Sequence, residues 1–146
     1  MTDVVDSDPP AHASAPGPWR QLTIALLVGS TVMGSMAFLA TLFQTPGLEG
    51  PVQVAPIALV VTVLSATALP LVRWDNPAGY ALAVLAGAAA VGGIALYLLG
   101  AFGPTRTAPA AYLFALLGAV LVVASVAAWR ERSPGRSATA ATSTAR

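Results

Sequence analysis

The stretch LVRWDNPAGY, residues 71–80, brings opposite charges close together inside the apolar middle of this 146-residue chain. A catalytic Asp75 would need a base, a nucleophile or a metal ion as its partner, and the neighbouring sequence supplies none. A structural explanation accounts for the same residues. Arg73 suits the C-terminal end of one helix, and Asp75 or Asn76 can cap the next helix with Pro77 at its first position. We therefore interpret the stretch as a turn between two helices.

Other groups that could carry chemistry are scarce. The chain has no Cys, so disulfides and thiolate sites are excluded, and the single His12 lies in a polar segment without a second ligand nearby. Haem ligation within a membrane would need His or a His and Met pair, and only Met33 and Met36 lie at depth. We predict no catalytic, cofactor-binding or metal-ligating residues, no enzymatic activity and no nucleic-acid partner.

The composition indicates an integral membrane protein. Hydrophobic residues make up 56% of the chain and charged residues 9%, whereas roughly a quarter of all residues are charged in soluble domains. Four uncharged apolar runs cover residues 22–43, 52–72, 78–99 and 110–129. Each has about the 20 residues that an α-helix needs to cross the hydrocarbon core. We predict an all-α bundle of four transmembrane helices within residues 19–132.

The segments between and beyond these runs differ in character. Two connections, residues 44–51 (QTPGLEGP) and 100–109 (GAFGPTRTAP), are rich in Pro and Gly, which predicts turns between antiparallel neighbours. The tails, residues 1–18 and 133–146, are rich in Pro, Ser, Ala and Thr. Because neither tail has an apolar face to bury, we predict that both are disordered.

The tryptophans and arginines predict how the bundle is oriented. Every Trp is next to an Arg, at the same predicted side of the membrane, and we interpret these six residues as interface anchors: Trp19, Arg20, Arg73, Trp74, Trp129 and Arg130. Arginines favour the cytoplasmic side, and indole rings favour the headgroup level. The pattern predicts a multi-pass protein of the cell membrane with both termini in the cytoplasm, leaving only Arg106 outside.

Small residues at helical spacing predict close helix packing. The candidates are Ser30 and Gly34 in the first run, and Gly79, Ala83, Gly87, Gly92 and Gly93 in the third; Ala111, Ala115 and Ala119 form a similar row in the fourth. Such faces allow two backbones to approach closely in lipid. We favour packing of these faces against other helices of the same chain. The alternative is packing against a second copy of the chain or another membrane protein. The lipid bilayer is the other expected partner.

The function prediction follows from what the apolar runs lack. None has an Asp, Glu, Lys, Arg or His in its interior, although ion-coupled transporters usually place such groups inside the membrane. The sequence therefore predicts a non-enzymatic accessory or scaffold subunit that works through helix packing. The alternative is a small transporter or channel component for a neutral or weakly polar solute, with hydroxyls such as those of Ser30 and Thr31 bordering the pathway.

Overall fold

Four α-helices make up the regular structure of the part of the chain that is described. The computed structural model describes residues 16–43, 55–101 and 109–132. The helices are α1 (Pro18–Leu42), α2 (Ala55–Arg73), α3 (Pro77–Leu98) and α4 (Pro109–Arg132). Each contains a segment long and apolar enough to cross a membrane. The predicted four-helix membrane bundle is confirmed, and the chain is a multi-pass membrane protein.

The helices pack as a ring in which each contacts two neighbours. α1 packs on α2, α2 on α3 and α3 on α4, and a smaller contact between α4 and α1 closes the ring. Polar contacts join the start of α1 to the end of α2, and the turn after α2 to the end of α4. These four segments therefore lie at one end of the bundle, which we call the arginine end because it carries Arg20, Arg73, Arg130 and Arg132.

The inner faces of all four helices build one apolar core. Its buried members are Leu27, Ala68, Val72, Tyr80, Ala83, Ala86, Leu121 and Ala128. Large apolar side chains also cover the outside, among them Val32, Leu85, Leu116 and Val123, which are more than half exposed. An outer surface of this kind is unfavourable in water and suits contact with lipid.

The helix ends differ in detail from the predicted runs. α1 begins at Pro18 instead of residue 22, and α4 continues to Arg132 instead of ending at 129. Both helices extend past their apolar segments into polar sequence, with Pro18 at the first helical turn of α1. Disorder was predicted for residues 1–18 and 133–146, and it is wrong for Pro18, which begins α1. Residues 1–15 and 133–146 lie outside the described residues, as do residues 52–54 of the second run.

Candidate functional site

The end of α2 positions the carboxylate of Asp75. The backbone N–H of Asn76 donates to the carbonyl of Leu71 at 2.8 Å, and the N–H of Asp75 donates to the carbonyl of Val72 at 3.0 Å. This pair of bonds is a Schellman motif, which needs a residue in the left-handed conformation. Asp75 supplies it with a φ of 54°. The chain therefore turns sharply and directs the Asp75 side chain across the end of the bundle.

Asn76 begins the next helix. Its Oδ1 accepts a hydrogen bond from the backbone N–H of Ala78 at 3.0 Å, and Pro77 follows it at the first helical position. Of the two predicted caps, Asn76 is thus the cap of α3. Asp75 instead completes the end of α2, where Asp is one of the few residues other than Gly that tolerate a positive φ.

The Asp75 carboxylate joins α3 and α4. Its Oδ1 accepts a hydrogen bond from the hydroxyl of Tyr80 on α3 at 3.0 Å, and its Oδ2 lies 3.1 Å from Nε of Arg132 at the end of α4. Tyr80 is only 1% exposed, so its hydroxyl depends on this partner. One carboxylate therefore ties the α2–α3 turn to two helices.

Arg20 adds the first helix to the same end. Its guanidinium donates from Nε to the carbonyl of Val72 at 3.2 Å and from a terminal nitrogen to the carbonyl of Arg73. The last carbonyls of a helix lack intrahelical partners and carry its negative dipole end, so a cation there is favourable. Arg20, Asp75, Tyr80 and Arg132, the polar cluster, together link all four helices.

The six predicted interface anchors lie at the arginine end. They occupy the first turn of α1, the end of α2 with the turn after it, and the last turn of α4. Trp19, Trp74 and Trp129 are exposed, and so are the side chains of Arg73 and Arg130, whereas Arg20 is partly buried in the polar cluster. Their depth in a bilayer stays a prediction.

Two glycines allow α3 and α4 to approach closely. A Cβ added to Gly87 would lie 2.6 Å from the carbonyl oxygen of Gly118, and one added to Gly118 would lie 2.9 Å from the carbonyl oxygen of Gly87. Both distances are shorter than van der Waals contact, so neither position has room for a larger residue. The row of small residues predicted for the fourth run did not include Gly118, and Ala119, which belongs to that row, is exposed. The sequence contained one indication of this contact, because Gly118 is the single Gly in the fourth apolar run.

Other predicted packing residues meet α2. A Cβ on Gly79 would lie 2.6 Å from the backbone nitrogen of Val72, which explains why α3 can fold back tightly after the turn. A Cβ on Gly34 of α1 would collide with the hydroxyl of Thr62. These two glycines therefore lie at the α2–α3 and α1–α2 contacts.

Neighbouring glycines on α3 face in different directions. A Cβ on Gly93 would collide with the side chain of Ile57, whereas nothing lies within 4 Å of a Cβ on Gly92. Gly92 is exposed, so this packing candidate makes no close contact with the described helices. Ser30 and Ala83 are buried. The inward face of α3 thus includes Ala83, Gly87 and Gly93, and Gly92 lies outside it.

Most hydroxyl groups of α1 and α2 bond within their own helix. Six donate to the carbonyl four residues earlier at 2.8 Å: Thr23, Thr31, Ser35, Thr41, Thr62 and Thr67. This local bonding is the ordinary state of Ser and Thr in a membrane helix. The hydroxyls of Ser65 and Ser125 are buried and bond to none of the described residues.

The structure has a small cavity between the helices. A cavity of about 10 Å³ lies among all four helices, and its lining includes Ser30, Met33, Gly87, Phe114 and Gly118. Such a volume is about the minimum that holds one water molecule. The residues that the structure describes contain no group of three side chains able to hold a metal ion.

The arrangement as a whole holds helices together. The buried hydroxyl of Tyr80 and the guanidinium of Arg132 meet one carboxylate, and the guanidinium of Arg20 meets the end of α2. The chain matches no protein family, no curated protein and no solved structure.

Proposed function

We propose that this protein is a non-enzymatic accessory or scaffold subunit of the cell membrane and that it works through helix packing. The observation that carries the proposal is that the polar groups at the arginine end bind to one another and to helix ends. Asp75 is bound by Tyr80 and Arg132, and Arg20 caps α2, so these groups stabilise the bundle itself. The apolar outer faces are then the surface available to a partner within the membrane.

The close approach of α3 and α4 supports the same function. Gly87 and Gly118 bring the backbones of α3 and α4 together, and the cavity beside them measures about 10 Å³. A pathway for a solute would need continuous space or a seam of unpaired polar groups, and six hydroxyls of α1 and α2 bond to their own helices. Binding to other helices needs neither feature.

The orientation of the bundle can be tested with reporter fusions. Fusions after Gly47 and Arg106 should report the outer side, and fusions after Trp74 and Arg136 the cytoplasm. The reason is that the arginine end carries four arginines, which are retained on the cytoplasmic side. The measurement is the activity of paired reporters that function on opposite sides of the membrane. The reverse pattern would show that the arginine and tryptophan argument is wrong.

Photo-crosslinking in native membranes tests the accessory role. A photoreactive residue replaces Leu85, whose side chain is 55% exposed on α3, and the matched control replaces Ala86, which is fully buried beside it. An accessory subunit should give a discrete protein adduct from position 85 and none from position 86. Lipid adducts alone at position 85, together with protein-dependent solute flux in liposomes, would contradict the proposal.

A small transporter or channel component is the second candidate, and one observation favours it. The hydroxyls of Ser65 and Ser125 are buried without a hydrogen bond to the described residues, and Ser30 lines the central cavity. These groups could border a narrow path if the helices moved apart. Uptake of a neutral solute by liposomes holding the purified protein, lost on replacing Ser30 and Thr31 by Val, would support this function over the first.

A further inference from the structure

The four guanidiniums of the arginine end divide into two kinds. Those of Arg20 and Arg132 are bonded inward, the first to the end of α2 and the second to Asp75. Those of Arg73 and Arg130 are exposed, and neither pairs with a carboxylate among the described residues. Half of the cations at this end therefore hold the bundle together, and the other half face outward.

Among the described residues, the positive charge of the arginine end is not balanced. Its described residues include four arginines and two carboxylates, a net charge of +2, whereas the described residues at the opposite end carry no charge. Of the carboxylates, Asp75 is bound to Arg132, and Oε2 of Glu131 lies 3.0 Å from the Cβ position of Gly17 at the start of α1. A carboxylate there faces the positive end of a helix dipole. Neither described carboxylate therefore pairs with Arg73 or Arg130, and both guanidiniums are accessible to external anions.

The backbone carbonyl groups near Arg73 also present little obstacle to an external anion. The carbonyls of Val72 and Arg73, which would repel an anion, already accept hydrogen bonds from Arg20. The positive charge of Arg20 thus offsets the negative end of α2. The Arg73 side chain makes no such contact and is exposed.

Tryptophan side chains indicate the kind of anion. Trp74, which is 78% exposed, follows Arg73, and the exposed Trp129 precedes Arg130. Indole rings at the ends of membrane-spanning helices lie at the headgroup level, and a guanidinium binds phosphate through two parallel hydrogen bonds. The first phosphates that Arg73 and Arg130 meet at that level belong to phospholipids.

We propose that the arginine end binds anionic phospholipid headgroups and that Arg73 and Arg130 contact their phosphates. This surface is separate from the apolar faces assigned to a protein partner, so either proposal can fail without the other. An anionic headgroup is preferred to a zwitterionic one because it brings no cation to oppose the arginines. Each guanidinium near an anionic surface is expected to strengthen binding about fivefold.

The test measures lipid binding to the purified full chain in detergent. Native mass spectrometry follows a titration with phosphatidylglycerol or with phosphatidylcholine of the same acyl chains. Wild type should bind phosphatidylglycerol the more tightly, and Arg73→Gln and Arg130→Gln should each weaken that binding about fivefold and leave phosphatidylcholine unchanged. The matched control is Arg106→Gln, the same charge change at a residue outside the described ranges, which should bind like wild type.

Three results would overturn the proposal. Equal affinity for the two lipids would show that the headgroup charge is not recognised. Equal weakening by Arg106→Gln would show that only net charge matters. Displacement of phosphatidylglycerol by millimolar inorganic phosphate at constant ionic strength would show a site for the free anion instead of a lipid. Because both arginines are exposed, the Gln variants should keep wild-type helix content. If either does not, Arg73→Met and Arg130→Met replace them, since these also remove the charge and should weaken binding equally.

Discussion

Replacing Gly87 by Leu should lower the free energy of unfolding by about 1 to 3 kcal/mol. A Cβ at this position would lie 2.6 Å from the carbonyl oxygen of Gly118 and 2.8 Å from Cγ2 of Val122. The first atom belongs to the backbone, so the collision is relieved only if α3 and α4 move apart. That movement loses van der Waals contact, on which helix association in lipid depends. Reversible unfolding in mixed detergent micelles measures the effect.

Gly92→Leu is the matched control on the same helix. Nothing lies within 4 Å of a Cβ at Gly92, so a larger side chain there meets no described residue. Both variants replace Gly by Leu in the middle of α3, so the gain in helix propensity is common to both. The difference between them isolates the contact with α4. Equal stability of the two variants would contradict a close α3–α4 approach at Gly87.

Crosslinking of the same two variants tells an internal contact from a subunit interface. Gly87→Leu should leave the oligomeric state unchanged, because its neighbours Gly118 and Val122 belong to the same chain. Loss of oligomers in Gly92→Leu with retained stability would instead place the exposed face of α3 at Gly92 in an interface between copies. Either outcome decides a question that the spacing of small residues left open.

The bundle was predictable because its physical requirements appear directly in the sequence. A helix that spans lipid needs about 20 apolar residues, and four such runs are separated by segments containing Pro, Gly or charge. The Asn76 and Pro77 pair also predicted the start of α3, since the cap depends on neighbouring residues only. Features that depend on local chemistry were therefore the accessible ones.

The inward face of α3 was not predictable in the same way. In a soluble helix, polar residues mark the outside, but α3 is apolar on every side, so nothing distinguishes Gly92 from Gly93 before the helices are packed. The structure buries Gly93 against Ile57 and exposes Gly92. In lipid, whether a small residue faces inward depends on the position of the neighbouring helix. The spacing of small residues in the sequence does not identify that position.

The polar cluster was missed for a related reason. Asp75 was assigned to its sequence neighbours, although its partners are Tyr80 on α3 and Arg132 at the end of α4. The contact with Arg132 exists only because the ring of helices brings the end of α4 beside the α2–α3 turn. The positive φ of Asp75 was also hidden, because Asp occurs there less often than Gly and gives a weak signal.

Replacing Asp75 by Ala should lower the free energy of unfolding by about 2 to 4 kcal/mol, because it removes two contributions at once. The buried hydroxyl of Tyr80 loses its acceptor, and Arg132 loses its ion pair. In addition, Ala must adopt the left-handed conformation at φ 54°, which a Cβ makes unfavourable. Unfolding in mixed micelles measures the loss, and α1 should keep its contact through Arg20.

Two further substitutions at the same position separate these causes. Asp75→Gly relieves the backbone but removes the side chain, so it should be less harmful than Ala by about 1 to 2 kcal/mol. Asp75→Asn tolerates the same φ and keeps an acceptor for Tyr80, so it should lose only the ion pair, which is partly exposed and contributes about 1 kcal/mol or less. The expected order of stability is Asn, then Gly, then Ala. If Asn is as harmful as Ala, the charge of Asp75 dominates and the hydroxyl of Tyr80 contributes little; if Gly equals Ala, the turn is not strained.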